Sequence, residues 1–250
     1  MKPEVITAIL AAIVAVISAV ISIYGQTRIA RLTDRLTKQR EAESREAQTA
    51  ALMSKYRDPL LRSAIDLQSR LYNIHQNRFL ERFYHRSPSS QSYAINNTLY
   101  VVAEYLGWVE ILRREIQFLD LGELELNRPL SELLVNINQA FAHYKAGGTF
   151  QLHNGKQRAI GEIMTVPRSN SEAIGYDCIG YATFVKKMSD PEFAGWFAKL
   201  RDDIDTMGNA SKVEAERLVL IHSKLIDLID FLDPHHVRVP PKYRTRIEQK

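Results

Sequence analysis

Cysteine occurs once in the chain, at Cys178. One thiol excludes an internal disulfide and a thiolate zinc site, and it fits a reducing compartment. The sequence also lacks a phosphate-binding Gly-rich loop ending in Gly-Lys-Ser/Thr, a GxGxxG turn, HExxH and Gly-x-Ser-x-Gly. Without them, the usual nucleotide-binding, metalloprotease and serine-hydrolase readings have no foothold. There is no repeat of fixed period, and no alternating apolar–polar run longer than about five residues to make a sheet. Charge of one sign is scarce in the body. The formal +4 comes from two segments: residues 25–50 hold six bases and four acids, and 235–250 hold five bases and one acid, which leaves 51–234 at −2. A nearly neutral body argues against a broad nucleic-acid surface.

What is present begins with a long apolar run, Val5 to Tyr24, with no charged side chain and only Thr7, Ser18, Ser22 and the Tyr24 hydroxyl as polar groups. About 20 such residues in a helix cover roughly 30 Å, the thickness of bilayer hydrocarbon. The run is long for the apolar part of a signal peptide, Lys2 is offset by Glu4, and no small-x-small cleavage site precedes Gln26. Arg28, Arg31, Arg35, Lys38 and Arg40 follow against the single acid Asp34. By the positive-inside tendency, the C-terminal side is cytoplasmic and the N-terminus outside, so the expected location is the inner or plasma membrane with a single pass. Ala8, Ala12, Ala15, Ala19 and Ser22 alternate steps of four and three, one seam of a helix, and the spacing continues through Gln26, Ile29, Thr33 and Leu36. Small residues let helices approach closely in lipid, so the seam predicts a homo-oligomer.

The chain therefore divides into 1–4 outside the membrane, 5–24 as span, 25–55 as a basic helical stalk, 56–234 as an α-helical cytoplasmic domain and 235–250 as a basic extended tail. Residues 26–55 contain neither Pro nor Gly and are mostly good helix formers. In the body the apolar periodicity predicts helices over 59–82, 92–118, 127–145, 156–164, 177–188, 190–208 and 210–232. Asp58-Pro59 and Asp190-Pro191 read as N-cap and first-turn proline. Gly147-Gly148 ends one helix, and 166–176 reads as a loop. The fold class is all-α: a membrane helix, a stalk and a bundle of about seven helices. Cations near a cytoplasmic membrane face attract anionic lipid, which assigns headgroup contacts to Arg28, Arg31, Arg35, Lys38 and Arg40 and to Arg238, Lys242, Arg244 and Arg246.

Two patterns bear on chemistry. Arg70 and His75 are separated by four residues, as are Arg217 and His222, and six separate Arg78 from His85. The pattern resembles the motif of HEPN-type ribonucleases, an all-α family. The resemblance implies paired motifs meeting across a dimer to cleave RNA without metal, with Arg70, His75, Arg217 and His222 as the catalytic residues. His serves as general acid or base and Arg steadies phosphate charge. His222 also lies beside the apolar stripe of the last helix, where a packed histidine is the alternative. The second pattern is Asp227, Asp230 and Asp233 before His235 and His236, acceptable divalent ligands or else an acidic edge ending a helix; the edge is the expectation. No metal and no cofactor is assigned. The expected function is interaction and assembly at the membrane, with lipid, a second copy and a protein partner as ligands. The alternatives are the ribonuclease, the one case that brings nucleic acid in, and a small oligomeric pore.

Overall fold

A computed structural model describes residues 3–118, 124–143, 149–168, 175–210 and 216–247; the side chains of 3–16, 19, 45, 46, 48–50, 52–54, 116–118 and 124–127 lie outside that description. The chain divides into two compact units, 1–52 and 53–250, each described by itself. Helix α1 is assigned from Pro3 to His75. In the first unit it is the whole described structure, so residues 25–52 are helical, as their composition predicts.

The second unit is mostly helical. After α1 come α2 (Phe79–Tyr84), α3 (Pro88–Phe118), α4 (Leu124–Ala142), α5 (Asn154–Met164), α6 (Tyr181–Lys187), α7 (Pro191–Gly195), α8 (Ala198–Asn209) and α9 (Glu216–Leu232). A 3-10 turn spans Pro241–Tyr243. The core is built around α3, which packs against α2, α5, α6 and α8, while α4 packs on α9. Leu60, Leu61, Ala64, Leu67, Leu71 and Ile74 of α1 are buried, matching the predicted apolar face.

Several boundaries differ from expectation. Asp58 does not cap a new helix: α1 runs through Pro59, and the Asp58 carboxylate instead accepts from Arg238 at 2.8 Å. The helix predicted over 59–82 breaks after His75, where Arg78 takes a left-handed backbone (φ 51°) and α2 starts afresh. Residues 165–167 and 176–178 are neither plain loop nor helix start. Thr165–Pro167 (β1) pairs antiparallel with Tyr176–Cys178 (β2), pinned by Arg168 on Asp177. Three-residue strands leave no alternation to read. The helix predicted over 190–208 splits at Trp196-Phe197. There Phe184, Phe193 and Phe197 meet with ring centroids 5.2–5.8 Å apart, and that aromatic packing overrides helix continuity. The Asp190 cap holds, accepting from the Glu192 N–H at 3.0 Å. Gly147-Gly148 lies outside the described residues.

Helices α3 and α5 approach each other closely at Gly161. A Cβ on Gly161 would stand 2.7 Å from the Leu106 carbonyl oxygen and 2.9 Å from Glu110 Cβ. Alanine is the better helix former by about 1 kcal/mol, but forcing a methyl against backbone costs about 1–3 kcal/mol, so packing wins. Gly161→Ala is expected to lower the urea midpoint. Gly155→Ala in the same helix meets nothing within 4 Å and is expected to leave the midpoint unchanged or raise it.

Candidate functional site

Among the described residues, no helix is long and apolar enough to cross a membrane. The span predicted over Val5–Tyr24 falls largely on residues 5–16 and 19, whose side chains lie outside the description, as do the seam residues Ala8, Ala12, Ala15 and Ala19. The described part of α1 still has a distinct surface. Ile17, Val20, Ile21, Ile23 and Tyr24 are all exposed, as are Ile29 (67%), Leu32 (53%) and Leu36 (50%). Large aliphatic side chains left this open are not covered within the first unit.

Their angular placement differs along the helix. At about 100° per residue, Ile17, Val20, Ile21, Ile23 and Tyr24 spread over a broad arc of roughly 160°, with Ser18, Ser22 and Gly25 on the other side. Ile29, Leu32 and Leu36 fall within about 60° of one another, directly in line with that small-residue side. Steps of four, three and four from Gly25 to Leu36 are the a/d spacing of a helix–helix seam. Past it stand Gln39 and Glu43, hydrogen-bonded to each other at 2.9 Å. Arg28, Arg31, Arg35 and Arg40 are exposed beside the seam. Lys38 is paired with Asp34 at 2.9 Å in an exposed contact, a kind worth little.

The Arg/His motifs are dispersed in the second unit. Arg70 is half-buried; its guanidinium donates to Asn97 Oδ1 and lies 4.0 Å from the Phe79 ring centre. Arg217 is 1% exposed. It donates to the Thr149 carbonyl at 2.9 Å and to the His143 carbonyl, so it holds both of these residues to α9. Arg78 pairs with Glu81, and His85 donates to the Gly208 carbonyl at 3.0 Å.

His222 is fully buried, 2.8 Å from the Gln68 amide nitrogen and 6.0 Å ring to ring from Tyr72. Burial first, then the positive fields of Arg246 and His75, brings its pKa from 6.5 down to about 4. Burial also lowers that of His75. The fold thus holds each arginine in a separate structural contact. Cys178 is half-buried; burial first, and then the nearby Glu104 charge, pushes its thiol up to about 12, the behaviour of an inert packed thiol.

The last candidates are the aspartates of α9 and the tail. The tail expected to be extended folds back on α9 instead, with Val239 and Ile247 buried. Asp227 pairs with Arg246 at 2.7 Å, Asp230 with Arg244 at 2.7 Å and Asp233 with Arg244 at 2.6 Å. One acidic edge at steps of three therefore meets two tail arginines. Arg244 is buried, and Arg238 and Arg246 are engaged with Asp58 and Asp227. Of the tail cations assigned to lipid, these three face carboxylates. Sequence reasoning saw both ladders but not that they are complementary. No family model matches the chain, and neither a curated protein nor a solved structure matches it.

Proposed function

We propose that the chain is a membrane-anchored helical assembly protein. Val5–Tyr24 is its single span, the body following 25–55 is cytoplasmic, and copies associate along the seam from Ala8 through Ile29 to Leu36. The observation that carries this reading is the exposed Ile29–Leu32–Leu36 stripe, continuous with the small-residue side of the apolar run. A broad apolar arc suits lipid, whereas a narrow stripe beside charged residues suits a second helix. Burying each of the three side chains against a second copy contributes about 1.5–3 kcal/mol. Arg28, Arg31, Arg35 and Arg40 supply the attraction to anionic headgroups. The body then presents its surface to a protein partner at the membrane.

RNA cleavage through the Arg/His motifs is the lesser reading. It requires His222 at a reachable surface, and His222 is fully buried. The test is the full chain with Leu32→Asp and Leu36→Asp together. In detergent, the wild-type oligomer is expected to fall to the protomer mass by light scattering while the thermal unfolding of the body stays unchanged. Both proteins are expected to remain in the membrane pellet after carbonate extraction. An unchanged oligomer defeats the seam, and extraction by carbonate defeats the anchor.

A further inference from the structure

A second polar surface lies between α1 and α3. A cleft of about 300 Å³ is lined by Asp66, Arg70 and Asn73 of α1 and by Asn97, Tyr100 and Glu104 of α3. Asp66 and Arg70 stand at i and i+4, the spacing at which a helix ordinarily closes an ion pair. Here the pair is open. Asn97 accepts from the Arg70 guanidinium and Phe79 stacks under it, so no Asp66 oxygen lies within 4.0 Å of an arginine nitrogen among the described residues. Asp66 is exposed and Glu104 half-buried. Glu104 accepts from the Tyr100 hydroxyl at 3.1 Å and likewise has no cation within that distance.

Glu104 departs from how the unit treats its buried acids. Glu110 holds Arg113 and Arg114, Asp203 holds Lys199, and Asp233 holds Arg244. In the cleft, burial is the largest influence on both carboxyls and raises both pKa values. Arg62 and Arg70 partly oppose this at Asp66, as do Tyr100 and Arg62 at Glu104. Burial also lowers that of Arg70, with Tyr93 and Asp66 among the groups opposing it. Two acids and one guanidinium therefore line one small cleft, close enough to feel one another and held too far apart to pair.

We propose that this cleft binds a small zwitterion of the α-amino-acid class, its ammonium between Asp66 and Glu104 and its carboxylate on the Arg70 guanidinium. A ligand with both charges neutralises both walls at once, which neither a simple anion nor a simple amine does. The volume suits a ligand of amino-acid size, and Asn73 and Asn97 supply further polar contacts.

The test is calorimetric titration of the full chain in detergent with the twenty standard L-amino acids, followed by the N-acetyl and methyl-ester forms of the strongest binder. At least one amino acid is expected to bind, with each blocked form about 10-fold weaker or worse. Glu104→Gln and Asp66→Asn are each expected to weaken binding by about 10-fold; Glu104→Gln removes an unpaired half-buried charge and is expected to leave the unfolding temperature unchanged or higher, and Asp66→Asn, at an exposed position, to leave it unchanged. A merely structural carboxylate would move stability and not affinity. Absence of binding by all twenty at about 10 mM, equal binding of a blocked form, or wild-type affinity in both variants overturns the proposal.

Discussion

Asp233→Ala is expected to cost about 3–5 kcal/mol of folding stability, because it leaves the buried Arg244 cation without its closest partner. Asp233 is 1% exposed. Its carboxylate accepts the backbone N–H groups of Val237, Arg238 and Val239 at 2.9–3.1 Å and Arg244 Nη2 at 2.6 Å. Four donors around one carboxylate fix the turn that follows α9 and bring the tail back along it. Arg244 also donates to the Asp233 and Val239 carbonyls, so the clamp couples side-chain charge to tail backbone. Burial alone would raise the Asp233 pKa, but the three backbone donors and Arg244 outweigh it and hold it below the usual carboxylate range. The clamp's contribution is therefore present above pH 4 and lost as pH falls through the lowered value. Urea unfolding at pH 7 reads the effect. Asp230→Ala, which removes the exposed partner of the same arginine, is expected to cost no more than about 1 kcal/mol.

Acidification from pH 7 to pH 4 is expected to remove about 3 kcal/mol of stability through His222 alone. The native ring is neutral: Gln68 donates its amide N–H to Nε2, which places the ring proton on Nδ1, where it has no partner. Protonating Nε2 would oppose two donors and bury a cation. The unfolded chain binds this proton near pH 6.5 and the native state only near pH 4. Stability is thus complete above pH 6.5 and declines as pH falls toward 4. Proton NMR titration of the ring checks the assignment: the His222 ring signal is expected to hold its neutral shift at pH 5.5, where a free imidazole is mostly charged. A midpoint near 6.5 for His222 contradicts the reading.

The helical periodicities, the Asp190 cap and the apolar face of α1 were legible because each depends on neighbours within one turn. The break after His75 was not, since the apolar pattern continues past it and only the left-handed Arg78 marks the stop. Pro59 misled for a related reason: Asp-Pro is a start signal, but a proline is tolerated inside α1 with Asp58 turned to Arg238. The charge ladders carried real information in their spacing. Asp227, Asp230 and Asp233 read as an edge or a metal site because Arg244 and Arg246 lie 11–19 residues away in sequence. The α1/α3 cleft was hidden most completely. Asp66 and Arg70 look like an ordinary helix ion pair, and only tertiary contacts from Asn97 and Phe79 hold them open.

The central claim is that residues 25–36 form the seam between copies, and a cysteine scan tests it directly. In a Cys178→Ser background, single cysteines are placed along residues 25–38 of the full chain in membranes and oxidised. The account predicts strong cross-linked dimer at Gly25, Ile29, Leu32 and Leu36 and little at Thr27, Arg31, Asp34 and Lys38, a period of about 3.5 residues. A flat profile, or cross-linking centred on the arginine face, contradicts it.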